Sequence, residues 1–344
     1  MKMTGNYMND WQQNGGYYMP PTRQLRRDSN FVGIAVLTQI ILLQLSFVLV
    51  IFALWFSGII EVQNDQFYGL GNIGFLVIYS FAYIIGMGLP APIIAAISRR
   101  KINPFSKLDS APGEIGFVSV VLVLLAGMAI CVFANFITSY ITFFLSQFGI
   151  LPPEMPSYLE NNIPSFIMNI IVFAVLPAIL EEMVYRGYVL RTLLKYGNGF
   201  ALVVSSLLFA LMHGNLQQIP FAFIVGLACG YLMISTGQIW PAMMLHFLNN
   251  FMSTLLQYAG MSLDTEVQSQ KMILLVFAFI VMLGLTSLLI LFGRSDPIIR
   301  LNRSPNSLQL TNGQKASSSL LAPAIIITIA IAIALTILSI IWGG

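Results

Sequence analysis

Nine long runs of apolar residues restrict how this chain can fold more than any other feature. A helix that crosses the hydrocarbon core of a bilayer needs about 20 apolar residues. The runs cover residues 31–60, 72–98, 114–145, 163–195, 199–213, 219–237, 239–259, 271–293 and 319–342. Only 8% of the residues are charged, against about 25% in soluble domains. The sequence therefore predicts an all-α, polytopic transmembrane helical bundle of about nine spans and excludes a large soluble core.

The basic residues predict the orientation of this bundle. Fifteen of the 16 Lys and Arg residues fall into four groups, at 2–27, 99–107, 186–195 and 294–315, and only Lys271 lies elsewhere. Nine alternating spans place all four groups on one side of the membrane. Because Lys and Arg favour cytoplasmic loops, we expect a cytoplasmic N-terminus and a C-terminus on the opposite side.

The same pattern predicts a simple organisation along the chain. The first 30 residues are polar, and they are too long and too polar for the start of a signal peptide, so we expect the first span to be a retained anchor. The predicted segments are a disordered tail (1–30), N-terminal transmembrane helices (31–160), a catalytic core (161–259), a transmembrane helix (260–293), a polar linker (294–318) and an extra C-terminal transmembrane helix (319–344). The linker makes this last helix look like an appendage.

Two adjacent carboxylates, Glu181 and Glu182, interrupt the fourth apolar run. An ionisable side chain near the centre of a membrane span costs about 2.5–3.5 kcal/mol and is a functional-site hypothesis by default. Glu182 and Arg186 are four residues apart in the order that favours an ion pair on a helix. Glu181 points about 100° away from Glu182, so we expect the two glutamates to have different partners.

The two histidines of the chain, His213 and His246, both lie in apolar runs. Glu181 and His213 are each 16 residues from Gly197, so an antiparallel helix pair that turns there would place them at equal depth. His246 and Asn250 are four residues apart and share a helix face. The spacing predicts that Glu181 faces a cavity with His213, His246 and Asn250.

A carboxylate beside two histidines suits the activation of water. His213 and His246 could bind a divalent metal such as zinc, with Glu181 as the base that takes a proton from bound water. Without a metal, Glu181 could act as a general base while histidine and asparagine hold the water or the oxyanion. The residues leave both mechanisms open.

These residues also form three motifs on successive helices. They are Glu181-Glu182-x-x-x-Arg186, Phe209-x-x-x-His213 and His246-x-x-x-Asn250. Over residues 160–255 the chain resembles the type II CAAX prenyl protease and bacteriocin-processing (Abi) family of intramembrane metalloproteases.

The resemblance implies a membrane protease whose site lies within the bilayer and opens to the cytosol. By position it implies that Glu181 activates water and that Glu182 and Arg186 support it. It also implies that His213, His246 and Asn250 hold the water, the metal or the oxyanion.

Several neighbouring residues have simpler interpretations. We interpret Phe209 as packing, Gly226 and Gly230 as a helix-packing pair, and Tyr185 as an interfacial residue, with a role in the cavity as the alternative. The cysteines, Cys131 and Cys229, show no disulfide or metal pattern and are interpreted as packing residues.

The expected partners follow from these predictions. We expect a membrane-associated or lipidated protein or peptide as substrate, contact with the lipid bilayer, no nucleic acid, and a multi-pass location in a bacterial cytoplasmic membrane, with the endoplasmic reticulum as the alternative. Two other functions compete with a protease: an ion- or proton-coupled transporter, and a non-catalytic immunity protein on the same scaffold. The substrate and the oligomeric state stay open.

Overall fold

The computed structural model describes residues 19–63, 66–99, 102–108, 115–150, 158–299, 308 and 310–342. Within these ranges the chain is helical apart from turns and one antiparallel hairpin, β1 (Glu61–Gln63) with β2 (Gln66–Tyr68). The helices are α1 (Pro21–Phe56), α2 (Asn72–Gly88), α3 (Pro90–Ile97), α4 (Phe117–Ser146), α5 (Ile163–Leu194), α6 (Asn198–Leu211), α7 (Gln218–Thr236), α8 (Trp240–Gly260), α9 (Glu266–Gly293), α10 (Asn312–Leu320) and α11 (Pro323–Trp342). The predicted all-α architecture is confirmed.

Seven helical segments in the described part of the chain are long and apolar enough to cross a membrane. They are α1, the α2–α3 pair, α4, α5, α7, α9 and α11. The other two predicted spans correspond to α6, which has only 14 residues, and to α8, which has 21 residues but carries His246, Asn249 and Asn250. The protein is a multi-pass membrane protein and its helices are compatible with the expected number of spans, while the orientation stays a prediction.

The predicted disordered tail is wrong for residues 21–30, because α1 begins at Pro21. Proline suits the first turn of a helix, where its missing N–H has no partner to lose. Leu25 and Asp28 are fully buried in this part of α1, and the Tyr196 hydroxyl donates a hydrogen bond to Asp28 Oδ2 at 2.9 Å. Packing therefore orders a stretch whose composition is polar. Residues 1–18 lie outside the described residues.

The predicted polar linker contains the start of a short helix. Helix α10 begins at Asn312, inside the predicted linker, and Thr311 and Gln314 cap its N-terminus reciprocally. Such a capping box satisfies two backbone N–H groups that a helix start would leave unpaired. Residues 300–307 and 309 lie outside the described residues.

The last span packs into the bundle and is not an appendage. A side-chain carbon added at Gly33 of α1 would lie 2.7 Å from the Ala324 backbone, so the two helices touch at their backbones. The Thr328 hydroxyl donates to the Gly33 carbonyl at 3.0 Å, and the Ala324 N–H donates to Asn30 Oδ1 at 3.1 Å. Close approach at a small residue is a common way for membrane helices to pack.

The two cysteines are free and buried, as their interpretation as packing residues predicts.

Candidate active site

Helix α5 carries both glutamates and departs twice from α-helical geometry. Ile171–Val175 and Met183–Leu190 are π-helical, and the segment Leu176–Glu182 between them is α-helical. Glu181 and Glu182 are the last two residues of this α-helical segment, directly before the second π-helical stretch. Departures of this kind are rare and occur often at functional sites.

Pro177 explains a contact that ties α8 to α5. Proline has no N–H for the carbonyl four residues earlier in a helix, and its ring crowds that carbonyl. The carbonyl in question belongs to Phe173, and Asn250 Nδ2 donates to it at 2.9 Å. Asn250 Oδ1 in turn accepts from Asn249 Nδ2 at 3.0 Å. The structure therefore places the Asn250 amide on the backbone of α5, whereas the sequence predicted that it shares a cavity with Glu181.

The ion pair between Glu182 and Arg186 is present, as the spacing predicts. Arg186 Nη1 lies 3.0 Å from Glu182 Oε1, and both side chains are buried. Arg186 Nη2 also donates to the carbonyl of Gly226 on α7 at 2.9 Å. A buried charge needs such partners, since water is not available to replace them. Gly226 thus provides both a helix contact and a hydrogen-bond acceptor.

His246 contacts both glutamates. Its Nδ1 lies 2.9 Å from Glu182 Oε1, and its Nε2 lies 3.8 Å from Glu181 Oε2. The nearer carboxylate is that of Glu182, whereas the sequence predicted Glu181. The carboxylate Oε1 of Glu182 is therefore shared between Arg186 and His246.

Glu181 has a partner that the sequence analysis missed. The Tyr83 hydroxyl, on α2, donates a hydrogen bond to Glu181 Oε1. Both side chains are almost fully buried, and Tyr79 stacks on Tyr83 with ring centroids 5.8 Å apart. Tyrosines four residues apart in an apolar run were the available signal, because a buried hydroxyl needs a hydrogen-bond partner.

The aromatic ring of Phe209 lies among the charged groups. The Arg186 guanidinium carbon is 4.6 Å from its centroid, which is a cation–π distance. The rings of His213 and His246 both meet it edge to face, at 5.3 and 5.9 Å, and Tyr185 meets it at 5.2 Å. Phe209 does pack, as interpreted from the sequence, and its contacts link the three motifs.

His213 lies just beyond the end of α6. Its Nδ1 is 3.0 Å from the carbonyl of Phe209 in the preceding turn. No hydrogen bond or ion pair among the described residues joins His213 to Glu181. The structure therefore brings Glu182, Arg186 and His246 into direct contact, places Glu181 Oε2 3.8 Å from His246 Nε2, and brings His213 to the same aromatic ring.

The partners of the two imidazoles fix their tautomers. A carbonyl oxygen and a carboxylate can only accept, so Nδ1 of each ring must carry the hydrogen. In the neutral form, each histidine then presents an Nε2 lone pair. Both rings are therefore suited to orient water by accepting a hydrogen bond.

The sequence predicted a divalent metal held by His213 and His246. The described part of the chain contains no group of three or more His, Cys, Asp or Glu side chains that could hold a metal ion. A catalytic zinc ion usually takes three protein ligands. Metal binding by His213 and His246 stays a prediction.

Removing the guanidinium should strongly destabilise the protein. The change Arg186→Gln leaves the buried Glu182 carboxylate without its cation, which costs about 3–5 kcal/mol. We expect a clearly lower midpoint of thermal unfolding in detergent. The double change Glu182→Gln with Arg186→Gln should recover part of that loss. Arg294→Gln, at an exposed arginine, is the control and should change little. Equal midpoints for Arg186→Gln and Arg294→Gln would contradict a stabilising role of the pair.

Comparison with known proteins identifies the segment that contains this site. Residues 163–252 match the family model described as type II CAAX prenyl endopeptidase Rce1-like. The chain is also 27% identical over 157 residues to "Putative membrane peptidase YdiL" of Bacillus subtilis (strain 168). That alignment covers 45% of this chain and 64% of the relative. No solved structure matches the chain. Residues 163–252 are therefore similar to type II CAAX prenyl endopeptidases, and this segment contains Glu181, Glu182, Arg186, His213, His246 and Asn250.

Proposed function

We propose that this protein is an intramembrane endopeptidase that hydrolyses a peptide bond with water activated by Glu181. The observation that carries the proposal is the setting of Glu181. Its buried carboxylate lies in a membrane-spanning helix, receives a hydrogen bond from Tyr83 and faces His246 Nε2. An uncompensated carboxylate is costly there, and Arg186 binds the neighbouring Glu182 instead.

The contacts of Glu181 divide its two oxygens between positioning and chemistry. Tyr83 holds Oε1, so the other oxygen, Oε2, is directed toward His246. The 3.8 Å gap between Oε2 and Nε2 is too long for a hydrogen bond. We place the reacting water beside these two atoms, where it can donate one hydrogen to each.

In the reaction, Oε2 takes a proton from this water as its oxygen forms a bond to the carbonyl carbon of the substrate. The proton on Glu181 then passes to the leaving nitrogen as the C–N bond breaks, so the carboxylate is restored. His246 orients the water, and Glu182 and Arg186 keep the imidazole in its tautomer. We assign His213, whose Nε2 is also an acceptor, to a hydrogen-bond donor of the substrate.

The position of the site favours one class of substrate. Glu181 is buried in a helix long and apolar enough to cross the membrane, which favours a membrane-associated or lipidated protein or peptide as substrate. The family match favours this proposal over the transporter and immunity hypotheses. We place the protein in a bacterial cytoplasmic membrane, in keeping with the distribution of its basic residues.

Glu181→Gln should lower the cleavage rate by at least about 100-fold, because an amide cannot accept the proton of the attacking water. The substrate probe is a fluorogenic prenylated CAAX peptide, supplemented by terminal-peptide mass spectrometry of membranes that contain the wild type or the variant. The control is Glu266→Gln, at an exposed carboxylate, which should cleave like the wild type. A folded Glu181→Gln protein with full activity in both assays would overturn the proposal.

Tyr83→Phe should slow cleavage by about tenfold or more without unfolding the protein. A hydrogen bond to a charged group is worth about 1.5–3 kcal/mol, and its loss frees Oε1 to rotate. Because Tyr83 acts through Glu181, kcat should fall while KM stays near the wild-type value. Tyr79→Phe, four residues earlier on the same helix, is the matched control. If both phenylalanine variants cleave at the same rate, Tyr83 does not position Glu181.

A further inference from the structure

A second polar site lies at the end of the bundle, away from the glutamates. A pocket of about 470 Å³ is lined by Arg27, Phe31, Ile97, Ser98, Arg99 and Lys195. These residues come from the first turns of α1, from the end of α3 and from the end of α5. Three of the six lining residues are cations, and none of them takes part in the contacts around Glu181.

The pocket keeps a net positive charge. Asp28 is the buried carboxylate beside it, with Lys195 Nζ at 2.7 Å and Arg27 Nε at 3.7 Å. Three cations against this one carboxylate leave a charge of +2 (3 − 1). The side chains of Arg27 and Lys195 are 54% and 41% exposed, and Arg99 is exposed. Asp28 thus anchors two of the cations while all three remain accessible to a ligand.

The wall of the pocket is apolar on the side of the membrane span. Ile97, the last residue of α3, is 68% exposed, and the α2–α3 segment that it ends is long and apolar enough to cross the membrane. The cations therefore lie at the level where a span ends, which is the level of lipid headgroups. An exposed isoleucine at that level suits contact with an acyl chain and offers nothing to a small soluble anion.

We propose that this pocket binds the phosphate group of an anionic phospholipid, with the acyl chain along Ile97. Guanidinium and ammonium groups are the usual protein partners of phosphate, and basic pockets between transmembrane helices bind lipid headgroups. The volume lies within the range of ordinary ligand pockets. The lipid joins the starts and ends of α1, α3 and α5 at one face of the bundle.

The test measures lipid binding to the full chain in detergent by native mass spectrometry. The probes are phosphatidylglycerol, phosphatidylcholine and inorganic phosphate. The wild type should bind phosphatidylglycerol more tightly than phosphatidylcholine. Arg27→Gln with Arg99→Gln should weaken phosphatidylglycerol binding by about 30-fold, since each surface cation contributes about a fivefold change in affinity. The variant should bind phosphatidylcholine like the wild type.

The control carries the same loss of charge elsewhere. Lys271→Gln with Arg294→Gln removes two exposed cations outside the pocket and should leave lipid binding unchanged. If the double arginine variant does not fold, Arg99→Gln alone should still weaken binding by about fivefold. The proposal is overturned if both double variants bind phosphatidylglycerol equally. It is also overturned if millimolar inorganic phosphate displaces the lipid, because the pocket would then bind a soluble anion.

Discussion

The buried ion pair of Glu182 and Arg186 is the interaction on which the candidate site depends. Neither side chain is exposed, so the pair must supply in protein contacts what water would otherwise give. Neighbours on three other helices supply part of these contacts: the Gly226 carbonyl of α7, the Phe209 ring of α6 and His246 of α8. Each contact draws one helix to α5. The helices of the site therefore pack around the ion pair of Glu182 and Arg186, whose charges would be costly in a membrane without these contacts.

A second constraint comes from the backbone of α5. Pro177 deprives the Phe173 carbonyl of its usual helical donor, and Asn250 supplies a replacement from α8. One turn earlier on α8, His246 reaches both glutamates. The two contacts fix how α8 is rotated against α5. A change at Asn250 would therefore reach the glutamates through the position of His246, even though its amide does not touch them in this structure.

Local spacing was enough to predict some of the site and not the rest. The pair of Glu182 with Arg186 follows from their spacing of four residues on one helix, and their buried charges needed partners wherever the helix packed. The sharing of His246 between both glutamates depends on the rotation of α8 against α5, which no spacing within one helix contains. Tyr83 lies 98 residues before Glu181, and nothing in either segment shows that α2 packs there. Residues 21–30 were misassigned because their polar composition hides Asp28, whose carboxylate is ordered by Lys195 and Tyr196 far along the chain.

The central claim is that Glu181, positioned by Tyr83 and His246, takes the proton of the water that attacks the peptide bond. The most direct test is a single turnover of the prenylated peptide in ¹⁸O-labelled water, with the label measured by mass spectrometry in the product and in Glu181. We expect one ¹⁸O atom in the new carboxyl terminus of the product and none in Glu181. Label in the Glu181 carboxylate would contradict the claim, because the glutamate itself would then have attacked the carbonyl carbon.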